Sequence, residues 1–162
     1  MIANYVTLEA FTVVGMEVVT TTADGKNLTD CPGIWEKFCG QLEKLKETNY
    51  LSESKKSKNS YGLCFCVEND DTHFRYIAGI SYQKGDTVPE GMTLYNVPAT
   101  KYAVFTHEGD LSKLSQTFSN IYQDWYKTAS VQRNGDYDFE LYNEDFKPGN
   151  PNSKIYIYTP VK

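Results

Sequence analysis

No stretch of this chain approaches the ~18 consecutive apolar residues that would span a bilayer. Its opening, Met1-Ile2-Ala3-Asn4, lacks the basic patch and apolar run of a secretory signal, so a cytoplasmic location is expected. Four cysteines are too few and too scattered for a secreted disulfide framework, and none shows C-x-x-C spacing. Cys31 and Cys39 accompany a predicted helix, Cys64 and Cys66 a predicted strand, and all four are expected on apolar faces. Histidine is scarcer still: His73 and His107 show no ligand spacing, so no metal site is expected. Gly15, Gly62 and Gly79 are isolated strand glycines rather than a phosphate loop, and no cofactor is expected. A net charge of -5 argues against a phosphate-backbone partner. The only basic run, Lys55-Lys56-Ser57-Lys58, sits among polar residues and reads as a solvated loop. Membrane and direct nucleic-acid binding are therefore not expected.

What the chain has in quantity is aromatic surface: 13 tyrosines, 8 phenylalanines and 2 tryptophans in 162 residues. Tyrosine joins a flat apolar ring to a hydroxyl, so it lines clefts for planar ligands as readily as it covers sheet faces. Length and composition suit one globular domain, residues 1–162, with its own core.

Residues 11–20 are rich in β-branched side chains and predict a strand. Asp30 and Pro32 predict a helix start, and Ile34, Phe38, Leu42 and Leu45 recur at helical spacing to an end near Thr48. Residues 61–67 and 74–80 predict a hairpin across a Glu68–Asp71 turn. A connecting loop is expected over residues 85–98. The order then repeats: a strand at 101–107, and a helix capped by Asp110 with a stripe of Leu111, Leu114, Phe118, Ile121, Tyr122 and Trp125. A hairpin of 137–143 with 154–159 closes the chain. Two strand-helix-hairpin halves, about 1–83 and 99–162, predict an α+β fold: a pseudo-twofold antiparallel sheet with both helices on one face. The seam between them is the natural place for a cleft.

In the segment Asp136-Tyr137-Asp138-Phe139-Glu140-Leu141-Tyr142, alternation puts Tyr137, Phe139 and Leu141 on one face. Those apolar residues suit packing against helices, which points Glu140 the other way, beside Tyr156 or Tyr158. Two readings stand. Either a half-exposed strand turns its polar face to water, or a carboxylate flanked by tyrosines neutralises a ligand cation while rings stack on its planar part.

The chain resembles the GyrI-like, or AraC-type effector-binding, family of small-molecule-binding domains. The resemblance is carried by Phe11-Thr12-Val13-Val14-Gly15, by Ile34-Trp35-x-x-Phe38 and by Tyr102-Ala103-Val104-Phe105-Thr106-His107-Glu108-Gly109. It continues through Ile121-Tyr122-x-x-Trp125, Asp138-Phe139-Glu140-Leu141-Tyr142 and Tyr158-Thr159-Pro160-Val161. The resemblance implies a cleft between the halves that takes lipophilic, often cationic, aromatic compounds, with a buried glutamate at the position of Glu140. It further implies Trp35, Phe38, Tyr61, Tyr76 and Tyr158 as cleft aromatics, with Tyr142 beside Glu140; Trp35 suits the helix core equally well. Many relatives carry a helix-turn-helix ahead of this domain, whereas a strand begins here within the first dozen residues, so the chain is expected to resemble the stand-alone members.

Three functions follow from the resemblance. The first is a non-catalytic binder of cationic aromatic molecules, which needs only Glu140 and the rings. The second is a hydrolase of reactive cyclopropane-type compounds, in which Glu140 activates a water and Tyr158 or His107 assists. The third is a protein-protein modulator, for instance of a topoisomerase. It is the weakest, because the acidic residues are scattered rather than clustered.

Overall fold

The computed structural model of the protein describes residues 1–46 and 59–162. The helix end expected near Thr48 and the basic run at Lys55 to Lys58 lie outside the described residues. The described residues form eight strands: β1 (Asn4–Leu8), β2 (Phe11–Thr20), β3 (Ser60–Val67), β4 (Asp70–Tyr82), β5 (Thr93–Val97), β6 (Thr100–Glu108), β7 (Tyr137–Tyr142) and β8 (Lys154–Val161). They form one antiparallel sheet in the order β1-β6-β8-β7-β3-β4-β2-β5. Helix α1 (Asn27–Lys46) follows β2. After β6 comes a second helical segment: a 3-10 turn (Leu111–Lys113), α2 (Leu114–Asn120), a π turn (Ile121–Trp125) and α3 (Tyr126–Thr128).

The topology forces the sheet to curl. β1 and β2 are six places apart in the sheet, about 29 Å if it were flat. Yet only Glu9 and Ala10 join them, a reach of about 11 Å from Leu8 to Phe11. β5 and β6 are likewise six places apart and joined by Pro98 and Ala99 alone. The two ends must therefore approach each other, which rolls the sheet into a half-barrel. Val6 and Leu8 of β1 and Tyr95 and Val97 of β5 accordingly share one apolar cluster with Val13, Leu63, Tyr102 and Phe139. Among the described residues, no helix lies on this inner face.

Both helical segments cover the outer face, as expected. α1 lays Ile34 and Phe38 on Val14, Tyr76, Ala78 and Ile80. Ile121, Phe118 and Trp125 pack on Ala103, Phe105 and Ile157. Each helix covers its own half, and the hydrogen-bonded pair β3–β7 is the seam.

Several elements depart from expectation. β1 and β5 were not legible: each is five residues long, β1 is largely exposed, and β5 falls inside the stretch read as a loop. Each is also an exchanged strand, since β1 leads into β2 but pairs with β6, while β5 leads into β6 but pairs with β2. α1 begins at Asn27, ahead of the expected start, because a 3-10 turn (Ala23–Gly25) feeds the chain directly into it. Asp30 lies in the helix's first turn and accepts a 2.8 Å hydrogen bond from Thr20 Oγ1. Asp110 does cap the second segment, accepting from the Ser112 amide at 2.7 Å. The cysteines are not uniformly on apolar faces: Cys39 and Cys66 are exposed.

Candidate functional site

Alternation along β7 separates its residues as expected, but the faces are reversed. Tyr137 and Phe139 belong to the inner cluster, while Asp138, Glu140 and Tyr142 turn outward beneath the helices. The reason is the curl. The rolled sheet makes its own apolar interior, so the more apolar face of β7 goes inside, and the helix-covered face receives the carboxylates.

Glu140 is 4% exposed. Its Oε2 accepts hydrogen bonds from the Tyr76 hydroxyl at 2.8 Å and the Tyr142 hydroxyl at 2.7 Å. The Trp35 indole N–H, from α1, donates to Tyr76 Oη at 2.8 Å, completing a chain of donors that ends on the carboxylate. Trp35 also meets Tyr142 edge-on at 5.3 Å and Phe38 at 6.1 Å. Room for this arrangement comes from Gly62, which faces Glu140 across the seam. A Cβ there would stand 2.5 Å from Glu140 Oε2 and collide with the Tyr76 hydroxyl. No cation lies within ion-pair distance of Glu140 among the described residues. Burial raises the Glu140 carboxyl above its ordinary range, and the Tyr142 and Tyr76 hydroxyls offset only part of that. Burial and then the charge of Glu140 likewise push up the Tyr76 and Tyr142 phenols and the Cys31 thiol, the last to about 12. Burial thus disfavours the thiolate form of both Cys31 and Cys64.

Asp138, two residues earlier on the same face, has the partner that Glu140 lacks. Arg133 Nη2 lies 3.3 Å from its Oδ2, and Arg133 Nη1 donates to Tyr122 Oη at 2.6 Å. Tyr122 in turn donates a short hydrogen bond to Asp138 Oδ2, and the guanidinium sits 5.1 Å from the Tyr122 ring centre. Tyr122 reaches Asp138 from the π turn, a local widening of the kind often found where a helix serves a site.

Five of the seven residues expected at the site are thus together: Glu140, Tyr76, Tyr142 and Trp35 by direct hydrogen bonds or ring contact, and Phe38 behind Trp35. Tyr61 and Tyr158 are not among them. Both lie on the inner face, where Tyr158 stacks on Phe139 at 4.5 Å and Tyr61 meets Phe11 at 5.3 Å. Glu140 is paired across the ladder with Ile157, which puts Tyr156 and Tyr158 on the other face. His107 is also elsewhere, buried at the start of the second helical segment against Thr117 Oγ1 and the Asp110 carbonyl. Asp138, Tyr122 and Arg133 escaped sequence reasoning. Asp138 carries a signal, its alternation with Glu140, but Tyr122 reads as part of an apolar stripe, and Arg133 lies outside the strands and helices, at an isolated bridge to Val161.

Residues 5–161 match the family described as integron-associated effector binding protein, Cass2. The chain belongs to this family. Among curated proteins, the transcriptional regulator BrlR of Pseudomonas aeruginosa is 34% identical over 162 residues, 99% of this chain and 56% of BrlR. The chain thus spans little more than half the length of that relative. Two solved structures share the Cass2-type fold over all of this chain. One is SAV2435 bound to tetraphenylphosphonium, with a TM-score of 0.76, 18% identity and 94% of that chain covered. The other is a protein from Staphylococcus aureus, with a TM-score of 0.73, 20% identity and 99% covered. The Cass2 domain here is an α+β effector-binding domain of regulator-related type. No helix among its described residues is long and apolar enough to cross a membrane.

Proposed function

We propose that this domain binds a lipophilic aromatic cation on the helix face of the seam, with Glu140 as the countercharge. The observation that carries this reading is a carboxylate buried among rings without a cation. Its neighbour Asp138, on the same strand face, has one in Arg133. Leaving a charge in that state is costly, so either a proton or a fitting cation is favoured there. Trp35, Tyr76 and Tyr142 supply ring faces and edges for the aromatic part of the ligand. Because Glu140 is nearly inaccessible, a ligand would reach it only through movement of the side chains around it. SAV2435, whose structure holds tetraphenylphosphonium, is consistent with a ligand of this charge and shape.

The test is a titration of tetraphenylphosphonium and of neutral triphenylphosphine oxide into the wild-type chain and Glu140→Gln. Affinity for the cation is expected to fall about 10-fold or more, since the desolvated charge contact is lost. The neutral compound is expected to lose less than about 3-fold, and an equal loss for both would remove the charge-recognition role.

The raised carboxyl with two phenols on it also suits general-base chemistry, which keeps a hydrolase reading alongside the binder. Tyr76 and Tyr142, not Tyr158 or His107, would then be its companions. Product accumulating beyond one equivalent per protein from a strained cyclopropane electrophile decides for the hydrolase. Ligand recovered unchanged decides for the binder.

A further inference from the structure

The inner face of the seam holds an open cavity of about 270 Å³, on the side of β7 away from Glu140. Its aromatic walls are Phe11, Tyr61, Phe139 and Tyr158, with Leu8 and Leu141 completing the apolar lining. Phe139 and Tyr158 form a stacked pair, and Phe11 stands edge-on to Phe139 at 5.6 Å. None of these residues touches the Glu140 carboxylate.

Two features separate this cavity from ordinary core packing. The Tyr61 and Tyr158 hydroxyls have no hydrogen-bond partner among the described residues, while those of Tyr76, Tyr102, Tyr122, Tyr137 and Tyr142 all do. Among the described residues no fully buried polar side-chain atom lacks a partner, so both hydroxyls open onto accessible space. The second feature is Glu9. It is the only charged residue among the described lining, and it stands exposed on the two-residue link between β1 and β2.

We propose that this cavity is a second small-molecule site, for an aromatic amine of one or two fused rings, back to back with the Glu140 site. The ring would lie against the Phe139–Tyr158 stack, where an offset or edge-on partner is favoured. Its polar atoms would take up the two phenolic hydroxyls, and its ammonium group would face Glu9. The size of the space suits a bicyclic ring.

Tryptamine and neutral indole are the probes, titrated by calorimetry into the full chain carrying Glu140→Gln, which removes the helix-face charge. Saturable tryptamine binding is expected to persist in that background. Adding Tyr158→Phe keeps the ring and removes a hydroxyl, and is expected to weaken both probes by about 3- to 10-fold. Adding Glu9→Gln is expected to weaken tryptamine by about 3-fold and leave indole unchanged, as for an exposed charge contact. If Tyr158→Phe disturbs folding, Tyr61→Phe removes the companion hydroxyl instead. In NMR spectra, the Leu8 and Leu141 methyls are expected to shift on tryptamine addition while the Trp35 indole N–H stays in place. Absence of saturable binding in Glu140→Gln, indifference to all three substitutions, or a shift confined to Trp35 would each overturn the second site.

Discussion

Burying the Glu140 carboxyl costs stability whenever it is ionised. Burial raises its pKa in the folded chain above the ordinary 4.5. Between that value and the raised one, the folded state holds more protons than the unfolded state, so stability falls as pH rises through this window and stays lower above it. Glu140→Gln keeps acceptors for Tyr76 and Tyr142 but never ionises. It is therefore expected to melt higher than wild type at pH 7, with the gap closing below about pH 4.5, where both side chains are neutral. Melting curves from pH 4 to 8 check this. A variant that is equally stable at every pH would mean that the carboxylate is solvated rather than buried. Gly62 belongs to the same residue-scale account, since only a missing Cβ leaves room for the carboxylate and the Tyr76 hydroxyl together.

Between elements, the strand β7 is tied to each helix by a different device. Toward α1 the link is Glu140–Tyr76–Trp35, uncharged on the helix side; toward the second segment it is Asp138–Tyr122 with Arg133. Arg133→Met would leave Asp138 buried without its cation. The expected cost at pH 7 is at most about 3 kcal/mol, the lower end for a broken buried pair, because Arg133 itself keeps some contact with solvent. Burial already raises the Asp138 pKa, so the cost should shrink as the pH falls toward its ordinary 3.8, where the unpaired carboxyl takes up a proton. Urea unfolding at pH 7 and pH 4 checks the sign. The close approach of β2 and β4 is a further device at this scale: Gly15 and Gly79 face each other across the ladder, and a Cβ on either would strike the opposite strand.

In the whole molecule, each half lends the other a strand. β1 closes the edge of β6 and β5 closes the edge of β2, so neither half completes its own part of the sheet. Cutting the exposed turn at Lys84–Gly85 would leave β1 to β4 on one fragment and β5 to β8 on the other. The fragments are expected to co-elute as one folded species on gel filtration. Each alone should be poorly structured by circular dichroism, since it leaves unpaired strand edges and half of the inner cluster. Folded, monomeric single fragments would show that the exchanged strands matter little.

Local chemistry in the sequence determined the two apolar helix stripes, the cap at Asp110, the long strands and the alternation that isolates Glu140 on one face of β7. These follow from spacing and side-chain type, which act over a few residues. The tertiary structure alone decided which face that was. Two-residue links join strands six places apart, the sheet curls, and its interior claims Phe139, Tyr61 and Tyr158 while the helices receive Asp138 and Glu140. Partners distant in sequence, such as Tyr76 for Glu140 and Tyr122 for Asp138, exist only once that curl and the β3–β7 seam are formed.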